Sequence, residues 1–278
     1  MVESRPQAFR QLQEEMKALR EHMKAIKHKI AVMSGKGGVG KSIVTASLAS
    51  VFAEKGYGVG VLDADIHGPS IPKMMGVHGK SFKVSPEGEI LPIETDDGVK
   101  IVSIDFLLDE AQPVVWRGPL KTAAIRQFLA EVAWGELDLL LIDLPPGTGD
   151  EALSILQYIS DIDGVLLITI PSEVSQIVVK KAVTFARKLN APILGIIENM
   201  SGLICPKCGA RIEVFSEGGG EKIAKEFSLP FLGRIPLDPK ISEAADAGKS
   251  FIRLYPDSEA AKSFIAIAEQ LEARVLKA

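Results

Sequence analysis

Nine consecutive residues, Ser34-Gly35-Lys36-Gly37-Gly38-Val39-Gly40-Lys41-Ser42, concentrate the chemistry of this sequence. Gly35, Gly40, Lys41 and Ser42 satisfy G-x-x-x-x-G-K-[ST], a loop whose backbone N–H groups cradle nucleotide phosphates. Glycines let the backbone approach the phosphates closely. Lys41 is expected to reach the β/γ-phosphates and the Ser42 hydroxyl to hold Mg2+. Lys36 places a second cation inside the loop. The apolar run Ile30-Ala31-Val32-Met33 before the loop reads as a buried strand, and Ile43 to Lys55 after it has helical apolar spacing. A helix N-terminus with unpaired N–H groups and the positive end of its dipole suits a polyphosphate.

Acidic groups complete such a site. Asp63, Asp65 and Asp143 stand at the ends of expected strands, where ligands bind in open α/β sheets. Asp143 follows Leu139-Leu140-Leu141-Ile142 and has the place of the acid that supports Mg2+, directly or through water. Asp63 and Asp65 are candidates to position or deprotonate the attacking water, and Asp65 is preferred because it enters the following loop. Gly147 is set to offer its N–H to the γ-phosphate, which makes Pro145–Asp150 a switch segment.

A second centre lies at Cys205-Pro206-Lys207-Cys208-Gly209. A redox pair of the thioredoxin type opens a helix after a strand, and the surroundings here read instead as a loop or hairpin knuckle. Such a knuckle aims two thiolates at one metal. Zinc and a [4Fe-4S] cluster each want about four protein ligands, and this chain supplies two cysteines. A two-fold homodimer supplies four thiolates on its axis. Spacing alone does not choose zinc from iron–sulfur.

The elements that position these groups can be read along the chain. Residues 8–30 carry Phe9, Leu12, Met16, Leu19, Met23, Ile26 and Ile30 at spacings of three and four, a heptad-patterned helix assigned to residues 1–28. It could pack on its own domain, meet a partner helix, or lie on a membrane surface. Residues 29–278 form the nucleotide-binding domain. Strands are expected at 58–62, 137–142, 164–170, 192–198 and 231–235, with hairpin-like or edge segments over 82–105 and a loop at 66–80. Helices are expected from Pro119 to about Trp134 and near 173–189, 218–227 and 257–276. Strands alternating with helices imply an α/β fold, a mainly parallel sheet covered on both faces.

Composition bounds the function. The 278 residues carry a net charge of −4, which gives no electrostatic case for nucleic acid. The seven Arg/Lys and three Glu between Arg5 and Lys29 make that segment +4 and leave about −8 on the rest. The charged N-terminus and the lack of an apolar run long enough to span a bilayer predict a cytoplasmic protein without a membrane partner.

The loop with its second lysine resembles the deviant Walker A loop of the SIMIBI-class ATPases, which include the septum-site and partition ATPases. Within that class the chain resembles the Mrp/ApbC iron–sulfur cluster carriers from about Lys29 to Pro256. The resemblance runs through Leu62-Asp63-Ala64-Asp65-Ile66-His67-Gly68-Pro69-Ser70, Val115-Trp116-Arg117-Gly118-Pro119 and Asp143–Asp150. It continues through Glu198-Asn199-Met200, Cys205–Gly209, Gly218-Gly219-Gly220 and Gly233–Asp238. It implies a three-layer P-loop NTPase that binds ATP and Mg2+ and turns ATP over slowly. It also implies a homodimer bridging a [4Fe-4S] cluster through Cys205 and Cys208 and delivering it to apo iron–sulfur proteins. Lys36 would reach across the interface to the partner's phosphates. Asn199 and the loop from Arg234 through Pro236 to Asp238 would contact adenine. The family loop continues Lys-Ser-Thr, and Ile43 departs from it, removing a hydroxyl from the α-phosphate region.

Two other readings compete. A positioning ATPase of the septum-site or partition type would want a C-terminal amphipathic membrane helix or a basic DNA-binding face, whereas Ser258–Ala278 reads as a packing helix. The other is a dimeric ATPase with a structural zinc at the cysteine pair, which metal content would separate from the carrier.

Overall fold

The computed structural model describes residues 5–65, 68–103, 106, 125–126, 129–159, 161–205, 207–215 and 218–277. In chain order the strands are β1 Ile26–Ser34, β2 Val59–Asp63, β3 Lys83–Val84, β4 Ile90–Leu91, β5 Ile93–Glu94 and β6 Lys100–Ser103. They continue as β7 Leu137–Asp143, β8 Gly164–Thr169, β9 Ile193–Glu198, β10 Leu203–Ile204, β11 Arg211–Ile212 and β12 Phe231–Arg234. The helices are α1 Arg5–Lys24, α2 Lys41–Glu54, α3 Ile71–Met74, α4 Asp150–Tyr158, α5 Glu173–Lys188, α6 Gly219–Phe227, α7 Pro239–Asp246, α8 Phe251–Leu254 and α9 Glu259–Leu271, the last running into a π-turn over Glu272–Leu276.

Among the described residues the main sheet has eight strands in the order β12-β9-β8-β1-β7-β2-β6-β5. All neighbours are parallel except β5, which runs antiparallel to β6. Central strand segments buried on both faces are apolar at successive positions, and Ile30-Ala31-Val32-Met33 of β1 shows this. Ile30 and Val32 face a core built with Val44, Leu48 and Phe52 of α2 and Phe264, Ile267 and Leu271 of α9. Ala31 and Met33 face the opposite core, with Leu19 and Met23 of α1, Val179 and Val183 of α5 and Ile223 of α6. The three-layer α/β architecture follows from that alternation.

The chain runs from β1 through α2 to β2, two places away, and β7 later fills the gap between them. After β7 it crosses β1 to β8. The topological switch point therefore falls at β1, and its carboxyl end is where a ligand crevice opens.

The amino-terminal element differs from the expectation. The helix ends at Lys24 and β1 begins at Ile26, so the boundary drawn at residue 28 lies inside a strand. Ile26 and Ile30 continue the helical spacing, but β7 offers them a ladder, with Ile26 opposite Leu137 and Ile30 opposite Leu141. Tertiary pairing overrides the local pattern. Buried Lys29 secures the corner, its Nζ donating to the carbonyl of Ile26 at 2.9 Å and of Met23 at 3.3 Å.

The short β segments over 82–105 are a β3–β4 hairpin and the β5–β6 pair, but β6 also joins the main sheet beside β2. One turn of helix, α3, forms inside the segment read as a loop, and α4, α7 and α8 are additional to the expected helices. Val115–Pro119 and most of the helix expected after Pro119 lie outside the described residues, as do Ile66, His67 and Pro206 within their motifs. Among the described residues no helix is long and apolar enough to cross a membrane.

Leu19 and Met23 are buried under the sheet, so α1 is part of this domain's core. Leu19→Ala should lower unfolding stability by about 2–4 kcal/mol in denaturant titration; an unchanged midpoint would mean the helix packs elsewhere.

Candidate functional site

The phosphate loop leaves the carboxyl end of β1 and enters α2 at Gly40, whose φ of +77° is a left-handed conformation. No side chain caps α2 at that residue, so the helix presents its first N–H groups and dipole to whatever lies in the loop. A Cβ on Gly40 would also lie 2.3 Å from Asn199 Nδ2, so both conformation and close approach require glycine there. Gly35 is required for space alone, since a Cβ would lie 2.6 Å from the backbone carbon of Val178 in α5.

Asp143, at the end of β7 and fully buried, draws three loop-helix groups together. Lys41 Nζ and Ser42 Oγ each donate to Asp143 Oδ2 at 2.6 Å, and Thr45 Oγ1 donates to Oδ1 at 2.7 Å. Thr45 was not anticipated. It sits one helical turn after Lys41, and that i,i+4 spacing on α2 is the signal that could have found it.

Strand register sets a second carboxyl beside the first, with Asp63 of β2 directly opposite Asp143. Asp63 is buried, and among the described residues it receives long hydrogen bonds from the N–H groups of Asp65 and Ile71 and from Ser103 Oγ, each at 3.3 Å. Burial first, and then the charge of Asp143, push its carboxyl up to about 8. It is therefore neutral near pH 7, so the buried group at this point is the Lys41–Asp143 ion pair plus an uncharged acid. A buried, protonated carboxyl is poorly suited to act as a base.

Asp65 stands differently. It is half-buried and lines a cleft of about 240 Å3 together with Lys36, Lys41, Ser42, Gly68 and Pro146. Gly37, Gly38, Val39, Gly40 and Ile43 line the same cleft. Lys36 is partly exposed, and its side chain makes no hydrogen bond or ion pair among the described residues. The Gly147 N–H donates to the Ser34 carbonyl at 2.9 Å, joining the turn after β7 to the end of β1. In this arrangement that N–H is engaged by Ser34.

The residues expected around adenine divide. Asn199 reaches the loop, its Nδ2 donating to the Val39 carbonyl at 2.9 Å. Arg234 pairs with Glu198 at 3.3 Å and with Glu221, and its guanidinium lies 5.3 Å from the centre of the Phe231 ring. Pro236 and Asp238 line a separate cleft of about 420 Å3 shared with Ile204 and Pro239. Asp238 also caps α7 by accepting from the Lys240 N–H at 3.0 Å. The structure thus joins Asn199, but not Arg234, Pro236 or Asp238, to the phosphate-loop cleft.

The cysteine pair forms a knuckle at the tip of the β10–β11 ribbon. The Cys205 N–H donates to the Ala210 carbonyl and the Gly209 N–H to the Cys205 carbonyl, both at 2.9 Å. Both thiols are free, Cys208 is exposed and Cys205 partly so. Hydrogen bonds from the backbone N–H groups of Lys207 and Cys208, and then from the Cys208 side chain, lower the Cys205 thiol below its ordinary range. Amides aimed at sulfur favour the thiolate, the form that binds metal. Among the described residues no group of three or more His, Cys, Asp or Glu side chains is placed to hold a metal ion.

A phosphate loop between β1 and α2, with a buried aspartate on the neighbouring β7 at the switch point, defines a P-loop NTPase. The chain belongs to the family described as NUBPL iron-transfer P-loop NTPase, which it matches over residues 25–272. It is 53% identical over 271 residues to the iron–sulfur cluster carrier protein of Methanocaldococcus jannaschii, covering 97% of this chain and 92% of that protein. A nucleotide-binding protein of Archaeoglobus fulgidus, solved in complex with ADP, is 41% identical with a TM-score of 0.75, covering 88% of this chain and 98% of that one. The septum site-determining protein MinD of Pyrococcus horikoshii, complexed with Mg-ADP, shares the fold at 24% identity and a TM-score of 0.65, over 88% and 96% of the two chains.

Asp63 supplies a pH test. The folded chain keeps this proton to about pH 8, whereas an unfolded chain releases it near pH 4. The folded state therefore binds the extra proton across that window, and its contribution to stability falls as pH rises. Asp63→Asn should remove this slope, gaining up to about 1.4 kcal/mol per pH unit on the unsubstituted protein between about pH 5 and 8. Parallel stability–pH profiles would contradict the assignment. Alkylation of Cys205 in a Cys208→Ser background should have its midpoint below the usual thiol range of about 8.5, because the two backbone donors remain; a midpoint at or above that range would remove the amide effect.

Proposed function

We propose that this chain is an ATP-hydrolysing carrier that holds an iron–sulfur cluster between two copies of itself and delivers it to apo iron–sulfur proteins. The observation that carries the reading is a nucleotide-binding loop and an exposed knuckle of two thiols on one domain. Two thiols are half a ligand set, and a two-fold pair of chains completes it. The cluster is cargo, and its proposed form is [4Fe-4S] on Cys205 and Cys208 of each copy. The similarity to the iron–sulfur cluster carrier protein of M. jannaschii supports this.

Exposed apolar side chains support a second copy as partner. Val174 and Ile177 lie on the first turns of α5, the helix that contacts Gly35, and Ile204, Ile212, Val214 and Phe215 surround the knuckle. Grouped exposed apolar residues mark surfaces that something covers. The C-terminal helix tells against a membrane-positioning role, because Phe264, Ile267 and Leu271 commit its apolar stripe to the core.

The nucleotide chemistry follows from the loop. Glycine N–H groups and the N-terminus of α2 take the phosphates of ATP, and Lys41 exchanges its carboxylate partner for a phosphate oxygen. The hydroxyl of Ser42 and the Asp143 carboxylate are hard oxygen donors 2.6 Å apart, a donor set that suits Mg2+. Ser42 would hold the ion, with Asp143 supporting it directly or through water. When bound, Mg2+ neutralises phosphate charge. Asp65 lines the cleft, which supports it as the group that orients the attacking water. Lys36 lacks an internal side-chain partner among the described residues, which supports its role as the cation lent to the other copy's phosphates. Hydrolysis would then loosen the dimer and release the cargo, in the cytoplasm.

Two substitutions test this. Lys36→Ala should reduce ATP turnover by about 10²-fold while leaving nucleotide binding and the fold in place; undiminished turnover would exclude the trans role. Cys208→Ala should retain ATP binding yet fail to transfer iron and sulfide to an apo-ferredoxin-type acceptor. Transfer at the unsubstituted rate would overturn the carrier reading.

A further inference from the structure

One short segment touches both the phosphate loop and the base of the cysteine knuckle. β9 ends in Glu198, and Asn199, Met200, Ser201 and Gly202 lead to β10. Glu198 is fully buried, and among the described residues its carboxylate accepts from four donors. Ser201 Oγ at 2.7 Å, the Gly218 N–H at 3.3 Å and Arg234 Nε at 3.3 Å reach Oε1, and the Gly220 N–H reaches Oε2 at 2.6 Å. Ser201 lies on the leg entering the knuckle, and Gly218 and Gly220 lie on the leg leaving it. One carboxylate therefore ties together both legs of the loop that carries Cys205 and Cys208.

The next two residues turn toward the nucleotide. Asn199 Nδ2 holds the Val39 carbonyl at 2.9 Å. The Met200 methyl carbon lies 3.5 Å from where a Cβ on Gly40 would stand. Met200 has a φ of +54°, a left-handed conformation uncommon outside glycine and held only where the surroundings fix it. Glu198 and Ser201 thus hold the knuckle base, and Asn199 and Met200 between them hold the phosphate loop.

We propose that Glu198 is a positioning residue that transmits the state of the phosphate loop to the cysteine pair. Displacement of Val39 and Gly40 by bound phosphate pulls on Asn199 and Met200. The adjoining Glu198 carries the movement to Ser201 and Gly218, changing the spread and exposure of the two thiols. All four partners of Glu198 among the described residues are donors, and a carboxylate satisfies them together. The amide of a glutamine would set its own N–H groups against at least one donor. The purpose of this link rests on the carrier reading above, but its test does not.

The test follows the reaction rate of the cysteines with Ellman's reagent in cluster-free protein, with and without MgADP or a non-hydrolysable ATP analogue. In the unsubstituted protein nucleotide should change the rate by about 5-fold or more, the lower end of ordinary coupling between sites. In Glu198→Gln the rates with and without nucleotide should become equal, while MgADP still binds. A merely structural role would shift both rates together and leave their ratio intact. Retention of the ratio in Glu198→Gln would overturn the proposal, as would a ratio of one in the unsubstituted protein. Should Glu198→Gln fail to fold, Ser201→Ala frees one leg and leaves the carboxylate paired. Its ratio should fall partway, and an unchanged ratio would overturn the link. Failure to load iron and sulfide would end the carrier reading alone, leaving the thiol ratio to decide this one.

Discussion

A single buried carboxylate organises the nucleotide end of this molecule. Asp143 lies at the floor of the crevice, out of water, with Lys41, Ser42 and Thr45 all donating to it. A buried ion pair is costly to desolvate and is retained only with close geometry and further hydrogen bonds. Both conditions are met here, and they fix α2 against β7 in one register. Asp63, directly opposite, cannot share that charge and keeps its proton. The pairing thereby separates the acidic groups into an ionised support, a neutral neighbour and, further out, Asp65 at the cleft.

The sheet makes that arrangement possible. β1, β7 and β2 run side by side and parallel, so Ser34, Asp143 and Asp63 emerge at one edge. Apolar side chains on both faces bury these strands between two helical layers. The polar ends then have nowhere to go but the crevice at the switch point. The same edge continues through β8 to β9, where Glu198 and Asn199 emerge, which is why a knuckle distant in sequence from the phosphate loop is built beside it.

Much of this was legible in the residues. The phosphate loop, the strand before it and the helix after it follow from glycine spacing and apolar pattern, and β7 and β8 were marked by uninterrupted aliphatic runs ending in a polar residue. The cysteine knuckle was legible because Cys-Pro-Lys-Cys-Gly carries the turn formers Pro206 and Gly209 within it. Other features depended on tertiary partners that no local pattern carries. Ile26 and Ile30 fit a helix by spacing and became strand because β7 was available to pair. The protonated state of Asp63 required knowing which strand lies next to β2. Thr45 and Glu198 are ordinary helix and strand residues until the carboxylate or donors opposite them are seen. The family resemblance groups Arg234 with the adenine contacts, and its commitment to Glu198 and Glu221 emerges only from the fold.

The central claim is that the two thiols of one chain are half of a cluster site shared by two chains. The most direct measurement is iron, sulfide and zinc content, together with oligomeric mass, after anaerobic reconstitution of the unsubstituted protein and of Cys205→Ala. The account predicts about four irons and four sulfides per dimer, absent from the variant, as a cluster held by four thiolates requires. Zinc held tightly by the dimer without sulfide would contradict it and make the knuckle a structural clasp.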